Sequence, residues 1–116
     1  MIELWAAVVL AVTTPSQTAE PVLRPPVVTH FAWSREPRAR LPREARDADI
    51  REGVVRLSCD VNASGAPMAC TILSESQAGV GLGREALNAA RRARLAESAL
   101  RDVPENAQYH FDVVLR

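Results

Sequence analysis

Between Gly53 and Ile72 the chain alternates apolar and polar residues, breaks once, and alternates again. Val55, Leu57, Cys59 and Val61 fall on one face of an extended backbone; Arg56, Ser58 and Asp60 fall on the other. Successive strand side chains point to opposite faces, so period two with one wet face predicts a half-buried strand. Asn62-Ala63-Ser64-Gly65 reads as a turn, with Gly65 free to take positive φ. The same residues match a glycosylation sequon, which is read here as turn chemistry. Met68, Cys70 and Ile72 then share one face, with Thr71 on the other, and this predicts the second strand of a hairpin. Whatever the chain folds into must bury the apolar face of that hairpin. Aromatic residues make up only 4% of the chain, so the core is built from Val, Leu, Ile and Ala.

The flanking segments supply the cover. Pro42 stands at a first helical position, with Ala45 and Ala48 three apart, which predicts one or two helical turns ahead of the hairpin. Gly79, Gly81 and Gly83 mark a loop into a helix. Their spacing matches neither nucleotide-binding fingerprint, and no Lys follows to reach a phosphate. Arg84 to Ala96 is rich in Ala, Arg and Leu and free of Gly and Pro, so helix propensity is high. Ala86, Leu87, Ala90 and Ala93 form a narrow apolar stripe suited to lying close on a sheet. After a polar loop around Pro104, Tyr109, Phe111, Val113 and Leu115 alternate with His110 and Asp112 as a terminal strand. The order predicts an α+β fold: a three-stranded, mainly antiparallel sheet packed by one main helix, with a short helix before the first strand. At ~80 folded residues such a core is small, and an extra staple would help it.

Alternation puts Cys59 and Cys70 on the apolar face of the hairpin. A loop over Ala63–Ala66 sets them directly opposite, at a Cα separation of roughly 4.5–5.5 Å that suits a disulfide. A loop one residue shorter, ending at Gly65, would send them to opposite faces. The side-chain pattern favours the first, and a structural disulfide is expected. Free buried thiols or a redox pair are the alternatives, although redox pairs usually sit close together at a helix N-terminus.

The first residues divide differently. Met1 to Ala19 carries the apolar run Leu4–Val12, too short for the roughly 20 residues that cross a bilayer, but of signal-peptide length. Residues 1–19 are therefore expected to be an export leader, which if uncleaved would hold the chain at the inner membrane. Residues 20–36, with Pro21, Pro25 and Pro26, read as an extended linker, and residues 37–116 as the domain. Within the linker, Phe31 and Trp33 either fold back to fill an apolar gap or anchor a partner.

Little here suggests chemistry. Fourteen basic residues, all Arg, balance fourteen acidic ones, which argues against a nucleic-acid or anionic-membrane binder. Two Cys and two His leave no metal cluster of recognisable spacing. His30 and His110 have no Ser or Cys partner, and Glu75 reads as a solvated carboxylate at a strand end. The expectation is a binding module with no catalytic residue, cofactor, metal or small-molecule substrate.

The order of short motifs resembles the C-terminal domain of TonB-family energy transducers. Leu41-Pro42 with Ala45, then Ile50 and Gly53-Val54-Val55, resemble the family's opening. Cys59-Asp60-Val61, Gly65, Ile72-Leu73-Ser74-Glu75-Ser76, Gly81-Leu82-Gly83, Glu85-Ala86-Leu87 and Ala90-Arg91-Arg92 follow in order, and Phe111-Asp112-Val113-Val114-Leu115 fits the last strand. The resemblance implies an exported periplasmic domain that binds the TonB-box segment of an outer-membrane receptor, or another envelope protein, by strand addition. Gln108 to Leu115 is then the candidate edge, with Tyr109, His110, Asp112 and Val114 flanking the added strand. Working transducers resemble longer chains with a membrane helix bearing a Ser and a His. The run Leu4–Val12 has neither residue, so coupling to the ExbB and ExbD motor is not implied. The alternative is a stand-alone structural or peptidoglycan-associated module on the same fold.

Overall fold

The computed structural model describes residues 25–116. The leader expected at residues 1–19 and the start of the linker lie outside the described residues. The elements run β1 (Val27–Val28), β2 (Trp33–Arg35), α1 (Arg43–Asp47), β3 (Gly53–Val61), β4 (Pro67–Glu75), α2 (Leu82–Arg92), β5 (Arg94–Leu95), a 3-10 turn (Glu97–Leu100) and β6 (Gln108–Leu115). The fold is α+β, but the main sheet has four strands, in the order β1-β6-β3-β4, where the sequence predicts three. The fourth is β1, which lies parallel to β6, while β3 runs antiparallel to both β4 and β6. A second small sheet pairs β2 with β5. Both added strands come from the Pro-rich stretch ahead of residue 37. They have too few residues to show any periodicity, and their pairing depends on partners far along the chain.

The hairpin forms as its alternation requires, and Asn62 organises its turn. The Asn62 side-chain carbonyl accepts hydrogen bonds from the Ser64 amide at 3.0 Å, the Ser64 hydroxyl at 2.7 Å and the Ala66 amide at 3.0 Å. This is the local side-chain bonding by which Asn favours turns. Gly65 sits at φ 82°, and a Cβ there would lie 2.6 Å from the Leu95 carbonyl oxygen. The close approach lets the Leu95 amide donate to the Gly65 carbonyl at 2.8 Å, tying the turn to β5.

Cys59 and Cys70 are joined by a disulfide, as expected, but by another route. The loop is Asn62–Ala66, with Val61 paired to Pro67, so an unbroken ladder would put Cys59 out of step with Cys70. The register shifts between Ser58 and Asp60, where Ala69 takes φ 49°. That bulge restores the step and brings the two cysteines together.

Core and surface differ from the expected pattern in one strand. Val55, Leu57, Cys59, Tyr109, Phe111, Val113 and Leu115 are buried on the helix side, as alternation predicts. Met68 and Ile72, predicted on the apolar face, are 50% and 37% exposed. Met68 pairs with Asp60, so the bulge at Ala69 turns it onto the face away from the helix, whereas Ile72 pairs with Leu57 on the helix side of this edge strand, where α2 lies close. Gly83 permits the approach at its start, because a Cβ there would collide with the Glu75 carboxylate and the Ile72 Cδ1. Ala86, Ala89 and Ala90 are buried beneath the helix.

The helix stops at Arg92, short of the predicted Ala96. Ala93 is extended, Leu95 is drawn into β5, and the Arg94 guanidinium donates to the Arg91 and Ala93 carbonyls at 3.0 and 2.7 Å. These bonds satisfy carbonyls that the helix leaves unpaired.

Candidate protein-interaction edge

The expected site strand, β6, has an interrupted neighbour on its outer side. Constant register pairs Gly53 with Leu115 through to Cys59 with Tyr109 on the β3 side. On the outer side β1 meets only Gln108 and Tyr109, and an isolated parallel bridge joins Ala39 to Leu115. The Gln108 amide donates to Pro26 at 2.8 Å, the Arg116 amide to Ala39 at 3.3 Å. Main-chain groups alternate in direction along a strand, so even-numbered residues of β6 present theirs outward. The bridges use the His110 N–H and the Val114 carbonyl. Among the described residues, the His110 carbonyl, both main-chain groups of Asp112 and the Val114 N–H have no partner.

Residues 29–38 leave the sheet edge over this stretch. They carry Phe31 and Trp33 onto the helix side, where the rings meet Tyr109 and Phe111 edge to face. Phe31 lies 5.3 Å from Tyr109 and Trp33 lies 4.9 Å from Phe111, between centroids. The Ala96 amide donates to the Ala32 carbonyl at 3.0 Å and the Ser34 hydroxyl to the Arg94 carbonyl at 3.2 Å, which fixes the excursion. Of the two readings of these aromatics, the fold-back onto the domain is the arrangement found. The detour opens a cleft bounded by Trp33, Glu36, Arg38, Asp112, Val114 and Arg116.

The predicted site residues divide by face. His110, Asp112 and Val114 project from the sheet face opposite the helix, and Val114 is 38% exposed. Asp112 receives the Arg56 guanidinium in a bidentate contact, Nε to Oδ1 at 2.9 Å and Nη2 to Oδ2 at 3.4 Å. The hydrogen bond and the carboxylate charge hold the Arg56 guanidinium above its ordinary pKa. Farther along this face, Ser58 donates to Gln108 at 3.2 Å and the Gln108 amide donates to the Asp60 carboxylate. Tyr109 does not join them. It is buried on the helix side, its hydroxyl donates to the Ala99 carbonyl at 3.1 Å, and burial pushes its phenol pKa up.

Sequence reasoning assigns the strand and misses its surroundings. Trp33 is singled out there, but Glu36, Arg38 and Arg116 belong to the cleft only because the chain detours between Val28 and Ala39. A register offset that differs between those two contacts leaves no periodic signal.

The fold is a small mixed sheet with its main helix on one face and a strand edge whose main-chain groups are partly open. The sequence matches the family described as the Gram-negative bacterial TonB protein C-terminal over residues 37–114, and the chain belongs to that family. The family is one of non-catalytic protein-interaction domains of envelope-associated proteins that engage outer-membrane proteins. No curated protein matches the chain. Among the described residues, no helix is long and apolar enough to cross a membrane.

Proposed function

We propose that the chain is a periplasmic protein-binding module that takes an extended segment of an outer-membrane TonB-dependent receptor, or of another envelope protein, as an added strand on β6, in support of TonB-dependent transport. The unpaired main-chain groups between His110 and Val114 carry this reading. A strand laid there would satisfy four hydrogen-bonding groups at once, and its alternate side chains would meet the Trp33 side on one face and Asp112 and Val114 on the other. Tyr109, His110, Asp112 and Val114 are the proposed contact positions, Tyr109 through the backbone and from the buried face. Family membership over most of the domain supports the choice of an envelope protein as partner.

The test is photo-crosslinking in cells from position 112, with position 84 on the exposed side of α2 as control. Adducts to outer-membrane receptors from 112 alone are expected. Adducts from neither position, in protein shown to be exported and folded, would remove the receptor function and leave a stand-alone structural or peptidoglycan-associated module.

A further inference from the structure

We propose that β1 is a resident strand occupying the partner's place, so that the β6 edge takes a parallel, extended segment carrying an apolar β-branched residue where Val28 now sits. The inference rests on the strand-addition reading above and specifies the ligand it implies.

The resident strand is held by few bonds. Gln108 donates to the Pro26 carbonyl, and the pairing of Val27 with Gln108 and Val28 with Tyr109 supplies Val28 N–H to the Gln108 carbonyl and His110 N–H to the Val28 carbonyl. It does not lengthen in either direction. Pro25 and Pro26 lack the N–H that would continue the ladder backward. Forward, the chain turns off the edge to seat Phe31 and Trp33. The seating is far more extensive than β1, since it combines aromatic stacking with the β2–β5 pairing and two further hydrogen bonds. Thus β1 can leave β6 while the rest of the segment stays docked. Its departure would free the main-chain groups of Gln108 and His110 and join them to those already open at Asp112 and Val114.

What β1 leaves behind defines the ligand. Val27 is 51% exposed and points to solvent. Val28 packs against the small apolar cluster of Leu95, Ala99, Ala107 and Tyr109. That site accepts a compact apolar side chain and would leave a carboxylate or ammonium buried without a partner. The matching segment is therefore extended, runs parallel to β6, and places Val, Ile or Thr opposite Tyr109, with a freely variable residue before it.

The experiment uses the full chain, as wild type and as Val28→Pro, with a capped synthetic peptide of residues 23–30 (Leu-Arg-Pro-Pro-Val-Val-Thr-His) supplied in trans. Proline at 28 deletes the donor to Gln108 and leaves β6, Phe31 and Trp33 unaltered. Val28→Asp is a second variant that keeps the N–H and expels β1 by its charge. The peptide is expected to bind both variants at least about tenfold more tightly than wild type, as follows if the wild-type site stands open roughly a tenth of the time or less. Amide shifts on binding should fall on Gln108 to Val114, and a peptide carrying Val28→Asp should not bind. Equal affinity for wild type and variants, no binding to either variant, or shifts on β4 would overturn the proposal. Failure of receptor crosslinking with peptide exchange intact would reject the receptor reading alone. Failure of exchange with crosslinking intact would reject the resident strand alone.

Discussion

The two sides of the main sheet are finished in different ways. β4 is an edge with nothing beyond it among the described residues, and its pairing with β3 shifts register twice, between Arg56 and Leu57 and between Ser58 and Asp60. Met68, Ile72 and Leu73 are exposed along it. β6 keeps one register with β3 along its length, and its outer side is covered only at the two ends. Bulges twist an edge and interrupt the even row of donors and acceptors that a foreign strand needs. On the proposed reading, the comparison teaches that regular main-chain pairing, more than exposed apolar side chains, makes a docking edge. The regular strand, covered only at its ends, offers an even row of main-chain groups, and the bulged strand does not.

Three perturbations separate the two sides, in order of expected size. Replacing both cysteines by Ser removes a cross-link between residues 11 apart, worth about 3 kcal/mol in the chain-entropy account. Chemical denaturation should show that loss, and native-state hydrogen exchange should rise chiefly along β4, leaving β6 protected. Equal loosening of both strands would show that the two sides are not independent. Trp33→Ala removes the ring that meets Phe31 and Phe111, and should cost about 2 kcal/mol, since Trp33 is only half-buried. Its exchange signature should fall on β2, β5 and the outer amides of β6. Tyr109→Phe removes the hydrogen bond to Ala99 and should cost about 1 kcal/mol at neutral pH.

Tyr109 also sets a pH dependence with a definite sign. Burial raises its phenol pKa above the ordinary value of about 10, so the folded state holds this proton more tightly than the unfolded state does. The corresponding stability is fully present below the unfolded pKa and is lost as pH rises through the folded one. It is the one Tyr in the chain, so phenolate absorbance follows it alone. The midpoint should lie above that of the unfolded protein, and the alkaline loss of stability should shrink in Tyr109→Phe.

What the sequence reveals and what it conceals follow from the same physics. The hairpin and β6 are legible because one wet face forces period two over many residues, as in Val55-Leu57-Cys59 and Tyr109-Phe111-Val113-Leu115. The cysteine pairing is legible as an outcome but not as a path. A bulge at Ala69, a non-glycine residue at positive φ, has no signature in residue type. Met68 misleads because the same bulge moves it to the face opposite Cys70 and Ile72, and Ile72 misleads because alternation tells which face a residue takes, not that its strand lies at the edge of the sheet. β1 and β2 are silent: each is short, both lie near prolines, and both are created by contacts with β6 and β5. The candidate edge follows from topology and family resemblance, whereas its present cover depends on where residues 29–38 leave the sheet.

The most direct test places a photo-crosslinking residue at Val114 on the outer side of β6 and, separately, at Leu73 on β4, in exported and folded protein. Both positions are exposed, at 38% and 47%, so accessibility does not favour β6. Adducts to envelope partners from 114 and not from 73 are the predicted result. Adducts from 73 alone would contradict the account and make the bulged strand the working edge.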